Sequence, residues 1–142
     1  YGYVYVAQIA MGSNMNQTIR AICEAEKYHG PSLIIAYSPC ISHGIRSGMG
    51  TSIMEERKAV DAGYWHLYRY NPELKSQGKN PFILDSKPPV APYRDFIAGE
   101  VRYSSLKKAF PDIADDMFTL SERNAAERYE TYKRLAEMDY KK

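Results

Sequence analysis

The run Leu33-Ile34-Ile35-Ala36-Tyr37, bounded by Gly30-Pro31 on one side and Ser38-Pro39 on the other, most constrains the fold. An unbroken apolar run this short, fenced by turn formers, reads as a parallel strand covered on both faces. Parallel strands need a crossover, and the preceding residues supply one. Residues 1–9 are rich in aromatic and β-branched types and read as a strand ending at Gly12-Ser13-Asn14. Ser13 or Asn14 can cap a helix on which Met15, Ile19, Ile22 and Cys23 recur at helical spacing, so Cys23 is expected to pack in the core. His29 is expected to cap that helix at its C-terminal end, before Gly30-Pro31.

The loop 38–50, with glycines at 44, 48 and 50, cannot easily continue either kind of element. Ser52 and Glu55 have capping-box spacing for a helix to about Ala62, with Gly63 past its end. Tyr64 to Tyr70, including His66, alternates as a third strand, which makes the class α/β. From Asn71 to Pro92 the texture changes, because five of the eight prolines fall there around Phe82-Ile83-Leu84. That stretch reads as a wrapping segment with a job. Helices are expected over residues 93–100 and 104–110. A long one then starts at Pro111, with Ile113, Met117, Leu120, Tyr129, Tyr132 and Leu135 on its apolar face.

Composition narrows the function. Nineteen basic against seventeen acidic side chains are too balanced to advertise nucleic acid or an anionic membrane as partner. They are unevenly spread, with eleven charged residues in 1–70 and twenty-five in 71–142, so the first half reads as buried and the second as surface. No run approaches the roughly 18 apolar residues of a membrane span, and the two cysteines make no disulfide framework. A cytoplasmic location is expected. The Tyr1 start, already strand-like, suggests a piece of something longer.

In α/β sheets ligands bind beyond the carboxyl ends of the strands, which is where Cys40 stands, stiffened by Pro39. Three readings fit it. It is a small buried hydrophobe, a nucleophile with His43 as its base, or a metal ligand that with His43 supplies half a set at best. Gly12-Ser13-Asn14 could face an anionic group, but without a full glycine fingerprint a plain N-cap is the better reading. The thirteen tyrosines are read as interface and half-buried packing residues.

The segments YGYVYVAQIAMG, GPSLIIAYSPCISHGI, KAVDAGYWHLYRYNP, GKNPFILDSKPP, GEVRYSSLKKAFP and AAERYETYKRLAEM run almost end to end. Together they resemble the extreme C-terminal part of pyruvate:ferredoxin (flavodoxin) oxidoreductases. The resemblance implies cytoplasmic, homodimeric enzymes that oxidatively decarboxylate pyruvate on thiamine diphosphate and Mg2+. Electrons pass through 4Fe–4S clusters to ferredoxin or flavodoxin, and coenzyme A takes the acetyl group. It implies that residues 1–70 are the C-terminal portion of the thiamine-diphosphate-binding domain, and 71–142 a proline-rich wrapping segment and helical C-terminal extension that reaches across the dimer. Ser38-Pro39-Cys40-Ile41 matches the family segment whose distant cysteine completes the cluster nearest the thiamine, so the resemblance makes Cys40 a cofactor and metal ligand. The Gly-Asp-Gly motif that holds magnesium and diphosphate is absent from these residues, and Gly48-Met49-Gly50-Thr51 departs from the more Ser/Gln-rich family versions. Two further classes compete: an assembly module in which Cys40 is idle, and a thiamine-dependent decarboxylase without electron transfer.

Overall fold

A computed structural model describes residues 1–140. Its sheet is built around β1 (Tyr5–Ile9), parallel to β2 (Ser32–Ala36) on one side and antiparallel to β3 (Tyr68–Tyr70) on the other. β4 (Phe82–Leu84), from the middle of the proline-rich segment, closes the sheet antiparallel to β3. The helices are α1 (Met15–Lys27), α2 (Ser52–Asp61), α3 (Tyr93–Gly99), α4 (Val101–Ala109) and α5 (Pro111–Glu137). The α/β class and the helical C-terminal part stand as expected.

The crossover is the one anticipated. Asn14 caps α1 by accepting from the Gln17 amide at 2.9 Å, and β1 and β2 run in register from Tyr5↔Ser32 to Ile9↔Ala36. The third strand differs from expectation. After α2, Gly63 takes φ 71° and the amides of Tyr64 and Trp65 both return to the Ala59 carbonyl, so the chain doubles back. Residues 64–67 fill the core instead of extending, with Trp65 Nε1 donating to the Ile9 carbonyl at 3.0 Å, and only Tyr68–Tyr70 joins the sheet, antiparallel. The alternation read over 64–70 thus comes from packing for its first half. His66 lies outside the strand, buried against Tyr129 and Tyr132 of α5.

Register decides what each face of the sheet meets. Ala7 sits opposite both Ile34 and Arg69, so these three share a face with Tyr5 and Ile9, and Ala21 of α1 packs there. Tyr68 and Phe82 are on the opposite face, where Tyr132 of α5 meets them at 5.1 and 5.8 Å between ring centroids. The larger core lies beside the sheet, where Tyr37, Ala59 and Leu67 meet Phe96 and Ile97 of α3 and Ala114, Phe118 and Ala125 of α5.

Five local expectations are corrected. β2 is the edge of the sheet among the described residues, so Leu33 and Ile35 stay open and only Ile34 is turned onto α1. α1 turns its other side inward: Gln17, Thr18 and Ala21 are buried, while Met15, Ile19, Ile22 and Cys23 are exposed. Much of the inward polar side finds partners, while Gln17 Oε1 and Thr18 Oγ1 have no hydrogen-bond partner among the described residues. Gln17 Nε2 donates to Asp85 at 3.0 Å, and Glu24 accepts from the Tyr5 hydroxyl and pairs with Arg69, whose guanidinium also holds Asp85 through two 2.9 Å bonds. Ile113, Met117 and Leu120 of α5 are likewise exposed, since Ala114, Phe118 and Ala125 form the inner line; Tyr129, Tyr132 and Leu135 do turn inward. Tyr28 rather than His29 ends α1, its amide donating to the Glu24 carbonyl. Ser52 and Glu55 form no capping box, because Glu55 is buried with its Oε2 on Lys58 at 3.1 Å.

Candidate functional site

The loop that leaves β2 carries the site. Tyr37 ends the strand with its amide on the Ile9 carbonyl and its ring buried between Tyr64 and Trp65. Three residues on, Cys40 opens a tight turn closed by the Gly44 amide on the Cys40 carbonyl at 2.8 Å, with Gly44 at φ 80°. A positive φ is costly for any residue with a Cβ, so glycine at this position is a geometric need. The turn brings His43 Nδ1 to 3.1 Å from Cys40 Sγ.

The thiol is held down to a pKa of about 7, first by the His43 backbone amide, then by the His43 ring and the Ser42 amide. Backbone amides converging on sulfur stabilise the thiolate, the form that ligates metals or acts as nucleophile. Cys40 is half-buried and His43 exposed, so the sulfur sits at the rim of the fold rather than in its core. The reading of Cys40 as a packed hydrophobe therefore fails, and thiolate chemistry stays open. Cys23, on the outward side of α1, lies in another part of the molecule.

One element of the C-terminal half grips this loop. Glu100 pairs with Ile45 in an antiparallel bridge, with the Arg46 amide on the Gly99 carbonyl at 3.0 Å and the Val101 amide on the Gly44 carbonyl at 3.3 Å. The Glu100 side chain is 0% exposed and accepts from the Tyr37 hydroxyl at 3.4 Å. Burial pushes its pKa up against the pull of Arg102, whose Nε lies 3.4 Å from Glu100 Oε2. Arg102 also donates to the Tyr64 hydroxyl and covers the Tyr103 ring. Among the described residues neither Glu100 Oε2 nor the neighbouring Glu55 Oε1 has a hydrogen-bond partner; a Cβ on Gly99 would come within 3.3 Å of the latter. Nothing in the sequence marked Glu100 or Arg69. A carboxylate in a charge-rich second half and an arginine in a strand both look like surface residues until the fold closes over them.

The amide of Gly12 is taken by Glu56 Oε2 at 2.8 Å, so Gly12-Ser13-Asn14 serves as the plain cap and offers that donor to no ligand. Among the described residues no group of three or more His, Cys, Asp or Glu side chains could hold a metal ion. Cys40 fits a metal or cluster as one thiolate, and further ligands have to come from other residues than these. No helix among the described residues is long and apolar enough to cross a membrane.

The chain is an α/β unit with a thiolate-favouring turn at the carboxyl end of a parallel strand. No family profile matches it. It is 65% identical over 136 residues to the pyruvate-flavodoxin oxidoreductase of Enterobacter agglomerans, a match covering 96% of this chain and 12% of that protein. It is 61% identical over 137 residues to the pyruvate:ferredoxin oxidoreductase of Moorella thermoacetica, again 96% of this chain and 12% of the relative. A mitochondrial pyruvate dehydrogenase [NADP(+)] of Euglena gracilis is 44% identical over 137 residues, 8% of its length. The chain thus corresponds to one segment of much larger pyruvate oxidoreductases, as its motifs suggest.

Proposed function

We propose that this chain is the part of a pyruvate oxidoreductase that supplies one thiolate ligand, Cys40, to a 4Fe–4S cluster. The whole enzyme oxidatively decarboxylates pyruvate to acetyl-CoA and CO2 with thiamine diphosphate and Mg2+, using ferredoxin or flavodoxin as acceptor. In this reading residues 1–70 belong to the thiamine-diphosphate-binding domain and 71–142 to its C-terminal extension. The enzyme is a cytoplasmic homodimer, and the chain by itself turns nothing over. The observation that carries the reading is the Cys40 turn, in which the amides of Ser42 and His43 and the His43 ring favour thiolate, in a segment so similar to named pyruvate oxidoreductases.

A bound cluster supplies one-electron transfer. The chain's own part is to hold Cys40 Sγ deprotonated at a fixed point, with Pro39 limiting the approach and Gly44 the exit. Hydrogen bonds to cluster sulfurs also set the potential, so the amides of Ser42 and His43 act on more than ligation. The NADP(+)-named relative carries the same segment, which supports acceptor choice lying elsewhere in the polypeptide.

In a full-length enzyme carrying this segment, Cys40→Ser should lower iron and sulfide content and slow acceptor reduction while thiamine diphosphate still binds. Retained iron, an unchanged paramagnetic spectrum on reduction and wild-type turnover would sink the ligand assignment. That outcome favours a second reading, an assembly module. Its support is the open line Phe110, Ile113, Met117 and Leu120 along the start of α5.

A further inference from the structure

We propose that Glu100 is a positioning residue for Cys40, so that the C-terminal half of the chain completes the cysteine site. The proposal deepens the ligand reading above but stands on geometry of its own. The loop from Tyr37 to Ile45 has Cys40 inside it, and Glu100 holds both of its ends. Its carboxylate takes the Tyr37 hydroxyl three residues before the cysteine, and its backbone bridges Ile45 five residues after it. The Arg46 and Val101 amides extend the same strip on either side.

A fully buried carboxyl whose second oxygen has an ion-pair partner but no hydrogen bond among the described residues is an expensive way to pack a helix junction, and an apolar residue of similar size would fill the volume without desolvating a charge. What a carboxylate adds is direction. Oε1 fixes the Tyr37 hydroxyl, and the attraction of Arg102 toward Oε2 keeps the carboxylate from turning away. Arg102 is in turn seated on the Tyr64 and Tyr103 rings. The chain of fixed groups runs from the aromatic core through Arg102, Glu100 and Tyr37 to the start of the loop. A turn that presents one sulfur atom needs such fixing, since displacements well under the length of a bond spoil ligation and preorganised contacts.

The test is made on this chain, without iron, so that its failure is separate from failure of the cluster reading. Amide exchange is followed at Arg46 and Val101, with Thr18 of α1 as internal reference, and alkylation of Cys40 by iodoacetamide is timed against Cys23 at one fixed pH. Glu100→Ala should speed exchange at both bridge amides by about tenfold relative to Thr18 and change the Cys40 rate several-fold relative to Cys23. Glu100→Gln keeps an oxygen for Tyr37 but gives up the attraction of Arg102, and should bring both readouts part of the way back from Glu100→Ala toward wild type. Tyr37→Phe removes only the hydroxyl and should move both in the direction of Glu100→Ala, less far, which keeps a test in hand if the alanine variant does not fold. Bridge exchange and Cys40 alkylation at wild-type values in a folded Glu100→Ala or Tyr37→Phe chain would overturn the proposal. So would a Glu100→Gln chain as disturbed as Glu100→Ala.

Discussion

The two ends of the sheet contain similar residues and treat them in opposite ways. At the β4 end, Phe82 stacks on Tyr68 and on Tyr132, Tyr68 meets Tyr132 at a tilt, and His66 is enclosed by Tyr129 and Tyr132, so the apolar side of α5 is used there. At the β2 end, Leu33 is 51% exposed, and α1 turns Met15, Ile19 and Ile22 outward while it buries Gln17 and Thr18. Both helices are amphipathic. The apolar side is buried only where another element stands opposite, and on α1 the polar side goes in with several of its groups partnered, Gln17 Oε1 and Thr18 Oγ1 being left without a hydrogen bond among the described residues. For α1 those partners are the Gln8 carbonyl, Asp85, Arg69 and Tyr5.

The strongest way to break this comparison is to remove the ion that lets α1 go in polar side first. Arg69→Ala leaves Glu24 and Asp85 facing each other under the helix, and should cost about 3–5 kcal/mol in urea unfolding. A loss under about 1 kcal/mol would mean that the polar layer is not what seats α1. Phe118→Ala probes the well-packed side, where the ring is buried beside Tyr103 and beneath Arg94, and should cost about 3 kcal/mol in the same assay.

His66 gives the comparison a pH dependence. Burial, and next the charge of Arg128, lower its pKa from 6.5 to about 4. The unfolded chain therefore takes up a proton near pH 6.5 that the folded chain refuses until about pH 4. The folded state keeps its full stability above that window, loses it as the pH falls through it, and levels off below. The contribution is at most about 1.4 kcal/mol per pH unit. His66→Gln should flatten the thermal-stability profile between those two pH values, and an unchanged slope would show that other groups carry it. The smallest effect belongs to the open end. Ile19→Ala should shift stability by less than about 0.5 kcal/mol, and a larger loss would show that the outward line of α1 is covered in solution.

The β1–α1–β2 crossover, an N-cap at Ser13 or Asn14, the turn at Gly63, the helical C-terminal part and the place of Cys40 after a strand were legible in the chain, because short-range periodicity and turn chemistry determine them, whereas the strand Phe82–Leu84 was read only as a short apolar piece of a wrapping segment. Relatives with the same segment agree with the resemblance read from its motifs. The direction of β3, the open faces of β2, the inward side of α1 and the burial of Arg69, Glu55 and Glu100 were not. Hydrophobic spacing tells which side of a helix can be buried. Which side is buried depends on what stands opposite, and that is decided between residues far apart in sequence, as where Arg69 meets Asp85 and Glu24, or Glu100 meets Tyr37. Local spacing thus determined most helices, the first two strands and the place of the thiol, and the tertiary structure decided β3, β4, which faces are buried and what holds that thiol in place.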